Sequence, residues 1–188
     1  MQRAVIFRIL TAAVIVFFSA GCEKVYYLLQ KEGAEEKAIV GEALPLEANA
    51  KVEEVQKLLK LYGYPIGNVD GKIGPATRAS ILQFQKNNNL EETRFIDQAT
   101  WAKLHMFDEC GLVTQGSINV QGVQLALLNA GFDIGKVDGV MGPKTKKMII
   151  DFQKSKGLRG DGVIGLQTLQ YLSQHLIDQT TSPYKKVI

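Results

Sequence analysis

The chain is short of the residues from which metal centres, disulfide scaffolds and His-based catalysts are built. Its 188 residues include 2 Cys, 2 His and 1 Trp. Two cysteines exclude a disulfide framework, and two histidines argue against a His-rich metal site. Charge of one sign is also lacking: 22 Lys+Arg stand against 19 Asp+Glu, a formal net charge of +3. That balance does not suit a dedicated nucleic-acid binder, so nucleic acid is not an expected partner. No long hydrophobic run is present. The longest, Ile9 to Phe18, has about ten residues and is too short to span a bilayer comfortably. Yet 46% of the residues are hydrophobic, which excludes a wholly disordered chain and leaves room for one ordinary domain or two small ones.

The apolar run has an address-like context. Arg3 and Arg8 precede it and Ser19-Ala20-Gly21-Cys22 follows it. That order reads as a secretory signal over residues 1–21. Small residues directly before a Cys resemble the lipobox of bacterial lipoproteins, with Ser19 where that motif usually carries Leu. The resemblance implies cleavage before Cys22, acylation of Cys22 and a membrane partner held through it. Acyl chains anchor because each buried CH₂ contributes about 0.8 kcal/mol. The alternative is an uncleaved single-helix anchor with an incidental Cys. In such lipoproteins an Asp after the Cys retains the protein in the inner membrane. Glu23 is not that signal, so a periplasm-facing location on the outer membrane is the expectation.

Residues 22–50 read as a tether. Val25, Tyr26, Leu28, Leu29 and then Ala38, Ile39, Val40 sit among Glu and Lys, while Gly33, Gly41 and Pro45 interrupt any long helix. One or two short helical pieces with a flexible spacer are expected; a loose tail with a few buried anchors is the alternative. Fully extended, this stretch could reach about 90 Å at about 3.3 Å per residue. Without Arg3 and Arg8 the net charge falls from +3 to +1. The tether is acidic and the segments after it are mildly basic, which suits an acidic polymer or peptide carboxylates.

The remainder is an internal repeat. Val52–Leu104 aligns without gaps on Val120–Leu172, with about 21 of 53 positions identical. Val52, Val55, Leu59 and Tyr62 recur at helical spacing, as do Val120, Val123, Leu127 and Ala130. Gly63 and Gly131 are placed to end that first helix. Gly74-Pro75 and Gly142-Pro143 open a second, with Pro where a missing N–H costs nothing. Ile81 and Phe84, or Ile149 and Phe152, share one face of it. A short third helix carries Thr100, Trp101 and Leu104, or Thr168, Leu169 and Leu172.

A loop motif, Asp-Gly-x-x-Gly-x-x-Thr, occurs three times: Asp70, Gly71, Gly74, Thr77; Asp138, Gly139, Gly142, Thr145; and Asp161, Gly162, Gly165, Thr168. The Asp is expected to accept N–H groups of the loop and of the free helix end. The glycines permit the sharp turn. A fourth copy, Thr93 to Thr100, is degenerate, with Asp97 where Gly165 stands and able to serve as an N-cap.

Both repeats resemble the type 1 peptidoglycan-binding domain, a small three-helix bundle. Its pattern runs V-x-x-x-Q-x-x-L, G, DGxxGxxT, F-Q, G-L, DGxxGxxT. The second repeat carries it throughout: Val120, Gln124, Leu127, Gly131, Asp138–Thr145, Phe152, Gln153, Gly157, Leu158 and Asp161–Thr168. The first departs at Asn89, Thr93 and Arg94. The fold class expected is all-α, two tandem three-helix bundles. The boundaries are repeat 1 over 51–106, a linker over 107–117, repeat 2 over 118–175 and a tail over 176–188. The two repeats are expected to pack together, since domains of this size are marginal alone.

The resemblance implies peptidoglycan, through its stem peptides or glycan, as the partner. The candidate contacts are the cations Lys72, Arg78, Lys144, Lys146, Lys154 and Arg159, set against a plain solvated face. Phe84 and Phe152 are read as core. The loop Asp residues are read as turn caps, since calcium loops need more oxygen ligands at alternating positions. Cys110, flanked by Asp108 and Glu109, reads as an inert thiol or an interchain partner. His105 and His175 lie in no metal-ligand motif, so neither a metal nor a cofactor is expected. No catalytic constellation is present and the repeats consume most of the chain. A lipid-anchored, non-catalytic wall tether follows, with an adaptor for an envelope protein as the alternative.

Overall fold

The structure is a computed structural model and describes residues 31, 33–41 and 47–176. The signal segment, Cys22, the first tether residues and the tail beyond 176 lie outside the described residues. Helix α1 covers 33–40. It is followed by α2 (Ala50–Leu61), α3 (Pro75–Asn87) and α4 (Gln98–Leu104). Two short strands come next, β1 (Val113–Thr114) and β2 (Ser117–Ile118). Then come α5 (Val120–Asn129), α6 (Pro143–Ser155) and α7 (Leu166–Ser173). Helix α2 packs on α3 and α4, and α5 packs on α6 and α7. The fold is thus all-α in its two tandem three-helix modules.

Local chemistry sets the helix ends. Asn49 accepts the backbone N–H groups of Lys51 and Val52 and caps α2; Asn119 does the same for Gly122 at α5. Pro75 and Pro143 occupy the first helical positions. At the end of α2, Tyr64 N–H donates to Leu59 C=O (2.9 Å) and Gly63 N–H to Lys60 C=O (3.0 Å), with Gly63 left-handed. This is a Schellman ending, and Gly131 and Phe132 repeat it after α5. Val52, Val55, Leu58 and Leu59 form the buried stripe of α2. Phe84 and Phe152 are fully buried, Phe84 against Tyr62 and Tyr64, Phe152 against Phe132. Each such side chain stabilises by about 1.5–3 kcal/mol.

Two segments between and before the modules pack onto them. The stretch 107–117 is not a plain linker. Phe107, Leu112 and Val113 are buried, and β1 and β2 pair antiparallel, Val113 with Ile118 and Thr114 with Ser117. Gln115 and Gly116 both take positive φ, the tight-turn geometry that matches strand twist. The hairpin rests on α2, and the buried side chains of both modules join one continuous cluster.

The tether, in turn, is not free over 33–41. Val40 is buried, Asn49 Nδ2 donates to Val40 C=O (2.8 Å), and Lys51 Nζ donates to Ile39 C=O. Glu36 is buried against the first module. It receives both terminal nitrogens of Arg78, at 2.6 and 2.7 Å, and the Ile96 N–H at 2.8 Å. A carboxylate buried with a two-point guanidinium partner and a backbone donor is satisfied, so the helix can dock.

The junction has one tight point. A Cβ on Gly122 would lie 2.0 Å from the Gly111 carbonyl oxygen. Gly122→Ala gains helix propensity but must push the connection off α5. A net loss of about 1–3 kcal/mol is expected, measured as a lowered urea midpoint of the full chain.

Candidate functional site

Each signature loop closes on a buried glutamine. Gln56 of α2 is 1% exposed. Its Oε1 accepts the N–H groups of Asp70 (2.9 Å) and Gly71 (2.7 Å). Its Nε2 donates to Asp70 Oδ1 (2.9 Å), Lys72 C=O (3.0 Å) and Thr77 Oγ1 (3.1 Å). Gln124 repeats this with Asp138, Gly139, Val140 and Thr145. Gln153 of α6 takes the Gly162 N–H and donates to Val163 C=O and Thr168 Oγ1. A carboxamide has two donors and one acceptor oxygen, so one side chain can satisfy an entire loop turn. Only a residue at positive φ turns the loop onto the glutamine, and Gly71, Gly139 and Gly162 all take it. At Gly71 a Cβ would also meet the Asn49 backbone at 2.9 Å.

The degenerate fourth loop keeps the same design with different residues. Gln85 Oε1 accepts Arg94 N–H (2.9 Å), and its Nε2 donates to Thr93 Oγ1, Phe95 C=O and Thr100 Oγ1. Arg94 holds φ 67° where Gly162 holds 74°. Asn89 likewise takes φ 55° where Gly157 takes 71° and ends α3 as Gly157 ends α6. Left-handed backbone costs a residue such as Arg roughly 1–2 kcal/mol. Asp97 offsets this: its Oδ1 caps α4 through Thr100 N–H (2.7 Å) and its Oδ2 accepts the Thr93 hydroxyl (2.8 Å). The N-cap expected of Asp97 is therefore present. The altered loop also carries the Ile96 N–H that holds Glu36, so the first module uses it to dock α1.

One expectation about the motif needs correction. The loop aspartates do not cap the following helices. Asp70, Asp138 and Asp161 accept the N–H two residues on, and Gly74, Gly142 and Gly165 stand at the N-caps of α3, α6 and α7 with no side-chain cap. The glutamine amide beside each, then the loop N–H, holds the Asp70 and Asp138 carboxyls below the usual carboxylate range.

The six candidate cations do not converge. Arg78 is engaged by Glu36 and lies over the Phe95 ring. Lys144 pairs with Asp133 at 3.0 Å. Lys72 is half-buried, its backbone serving Gln56 and Asp70. Lys146 is exposed on α6, and the stem of Lys154 crosses Gly160. Arg159 alone of the six lines a cleft of about 500 Å³ between the modules. Tyr64, Gln83 and Asn87 form one wall; Arg159, Val163 and Gln167 form the other. Its lining offers amides, an aromatic edge, the Arg159 guanidinium, the Asp161 carboxylate and the exposed Val163. This cleft was not foreseeable from the repeats taken singly, because each wall comes from a different one.

A second grouping did not show in the sequence, where His105 lies in no metal-ligand motif. Glu54, His105 and Asp108 bring ligand atoms within 4.8 Å of one another. Cys110 is half-buried, its thiol donates to Phe107 C=O, and burial pushes it up, as suits an inert thiol.

Fold and loops together define a class: tandem three-helix binding modules, each stapled by buried glutamines. Residues 48–104 and 117–172 each match the family model described as "Putative peptidoglycan binding domain", and the chain belongs to that family. The module is a binding unit and not a catalyst, and peptidoglycan is the partner the family supports. No solved structure matches the chain.

The lowered Asp70 and Asp138 groups fix an acid dependence. Their contribution is full above the unfolded value near 3.9 and is lost as pH falls through the lower native values. Urea midpoints should be level near neutrality and drop below about pH 4. Asp138→Asn, which cannot titrate, should flatten that acid limb.

Proposed function

We propose that the chain is a lipid-anchored wall tether that binds peptidoglycan stem peptides in the cleft between its modules. The cleft is the observation that supports it. Gln83, Asn87 and Gln167 offer amides to a peptide backbone, Tyr64 and Val163 offer apolar contact, and Arg159 offers a cation to a carboxylate. Arg159 pairs with Asp161 at 3.7 Å, but its side chain is 89% exposed, so the guanidinium keeps donors open to a ligand. The first module's own loop holds α1, so the second supplies the ligand-facing loop.

Lipidation at Cys22 would set the geometry of the tether. With α1 docked, the span from Cys22 to residue 33 is at most about 40 Å, at about 3.3–3.6 Å per residue. That is a little under half of the reach available to a wholly free tether. The domain boundaries 22–50, 51–106, 107–117, 118–175 and 176–188 belong to this reading, with 33–41 and the hairpin assigned to the packed body.

An envelope-protein adaptor is the second reading. Val137, Val140 and Val163 are exposed on loops of the second module, Val163 by 66%. Apolar side chains at loop tips suit a protein partner.

Co-sedimentation of the full chain, in detergent micelles, with purified sacculi separates the two. Salt-sensitive pelleting that drops severalfold in Arg159→Glu is expected. No pelleting by a folded chain would overturn wall binding and favour the adaptor. Fatty-acid labelling that vanishes in Cys22→Ser is the expected sign of the anchor.

A further inference from the structure

The Glu54, His105 and Asp108 grouping does not belong to the cleft or to the repeat. The position aligned with Glu54 in the second module is Gly122, and His105 and Asp108 lie past the end of the repeat at Leu104. The three residues come from three places: Glu54 from α2, His105 from the end of α4, and Asp108 from the turn leading to the hairpin. Two carboxylates are thus gathered beside one imidazole in a half-buried site.

The imidazole is set for metal binding. His105 Nδ1 lies 2.8 Å from Trp101 C=O. A carbonyl can only accept, so Nδ1 carries the proton and the lone pair of a neutral ring is on Nε2. A ring fixed by a backbone carbonyl on its far nitrogen is the usual support of a ligating His. Nε2 is buried, without a hydrogen-bond partner among the described residues, and 3.6 Å from Glu54 Oε1. Asp108 Oδ1 is also buried and without a partner. Stacking on Trp101 at 3.9 Å holds the ring in plane. In a tetrahedral site with bonds of about 2.0–2.2 Å, ligand atoms stand about 3.3 Å apart. The observed spacing needs only side-chain adjustment to reach that.

We propose that Glu54, His105 and Asp108 form a binding site for one divalent transition-metal ion of the zinc type. The ion neutralises two carboxylates that otherwise face each other in a partly desolvated site. Bound, it joins α2, α4 and the start of the hairpin, and so stiffens the junction between the modules. One nitrogen and two oxygens leave a fourth position to water.

Trp101 is the sole Trp and touches the ligating ring, so the protein carries its own reporter. The untagged full chain, in detergent and stripped with a chelator, is titrated with Zn²⁺ against a chromophoric competitor. Parallel Co²⁺ additions are followed by Trp emission. One equivalent of Zn²⁺ per chain and saturable quenching by Co²⁺ are expected. Glu54→Gln and Asp108→Asn should each weaken binding about tenfold or more, while His175→Gln leaves it unchanged. His105→Gln should abolish binding, and Glu54→Gln, which keeps the Trp101–His105 stack, decides the matter if His105→Gln does not fold. Absence of zinc uptake by the folded chain, or uptake indifferent to Glu54→Gln and Asp108→Asn, would overturn the site. Neither result depends on wall binding.

Discussion

A buried carboxamide must find partners for two donors and an oxygen, and that requirement organises both modules. Gln56, Gln85, Gln124 and Gln153 are almost wholly buried, and each is satisfied by a single loop. Losing one would leave loop N–H groups without an acceptor, each costing about 1–3 kcal/mol. The loop cannot relax elsewhere, because its turning residue, Gly71, Gly139, Gly162 or Arg94, is already in the left-handed region. Helix, loop and following helix are thereby fixed as one unit. A module of this size has a small core, and these polar staples supply what its apolar area cannot.

The two modules are not equivalent copies. In the first, Arg78 and the altered loop at Thr93–Asp97 hold Glu36, so an N-terminal helix covers ground that stays open in the second. The second keeps its glycines and exposes Val137, Val140 and Val163. Between them the hairpin at 113–118 closes a shared core, and the cleft lies where Tyr64 and Arg159 face it from opposite modules. Duplication supplied two frames; divergence gave one to docking and left the other for binding.

Much of this was legible in the residues. The three-helix order, the helix ends at Gly63 and Gly131, the N1 prolines and the core role of Phe84 and Phe152 follow from local rules. The glutamines stood in the repeat pattern but their role did not show. Periodicity marks a residue as facing inward and cannot say which loop it will meet. Asp70 and Asp138 were expected to accept both loop and helix-end N–H groups, and only the loop bonds form, since a carboxylate near a helix start has two sets of donors within reach. Arg78 and Lys144 looked like free cations because their partners, Glu36 and Asp133, are not fixed by helical spacing. His105 and Asp108 are three residues apart, yet Glu54 reaches them only through the packing of α2 on α4. Tertiary juxtaposition of that kind leaves no periodic trace.

Amide hydrogen exchange tests the glutamine clamps most directly. The N–H groups of Gly71, Arg94, Gly139 and Gly162 lie in loops, where exchange is ordinarily fast. If buried Gln oxygens accept them, they should exchange nearly as slowly as the helix cores, opening only with global unfolding. Exchange at the rate of free loop amides, in a chain whose helices remain protected, would contradict the clamp and the constraint it is said to impose.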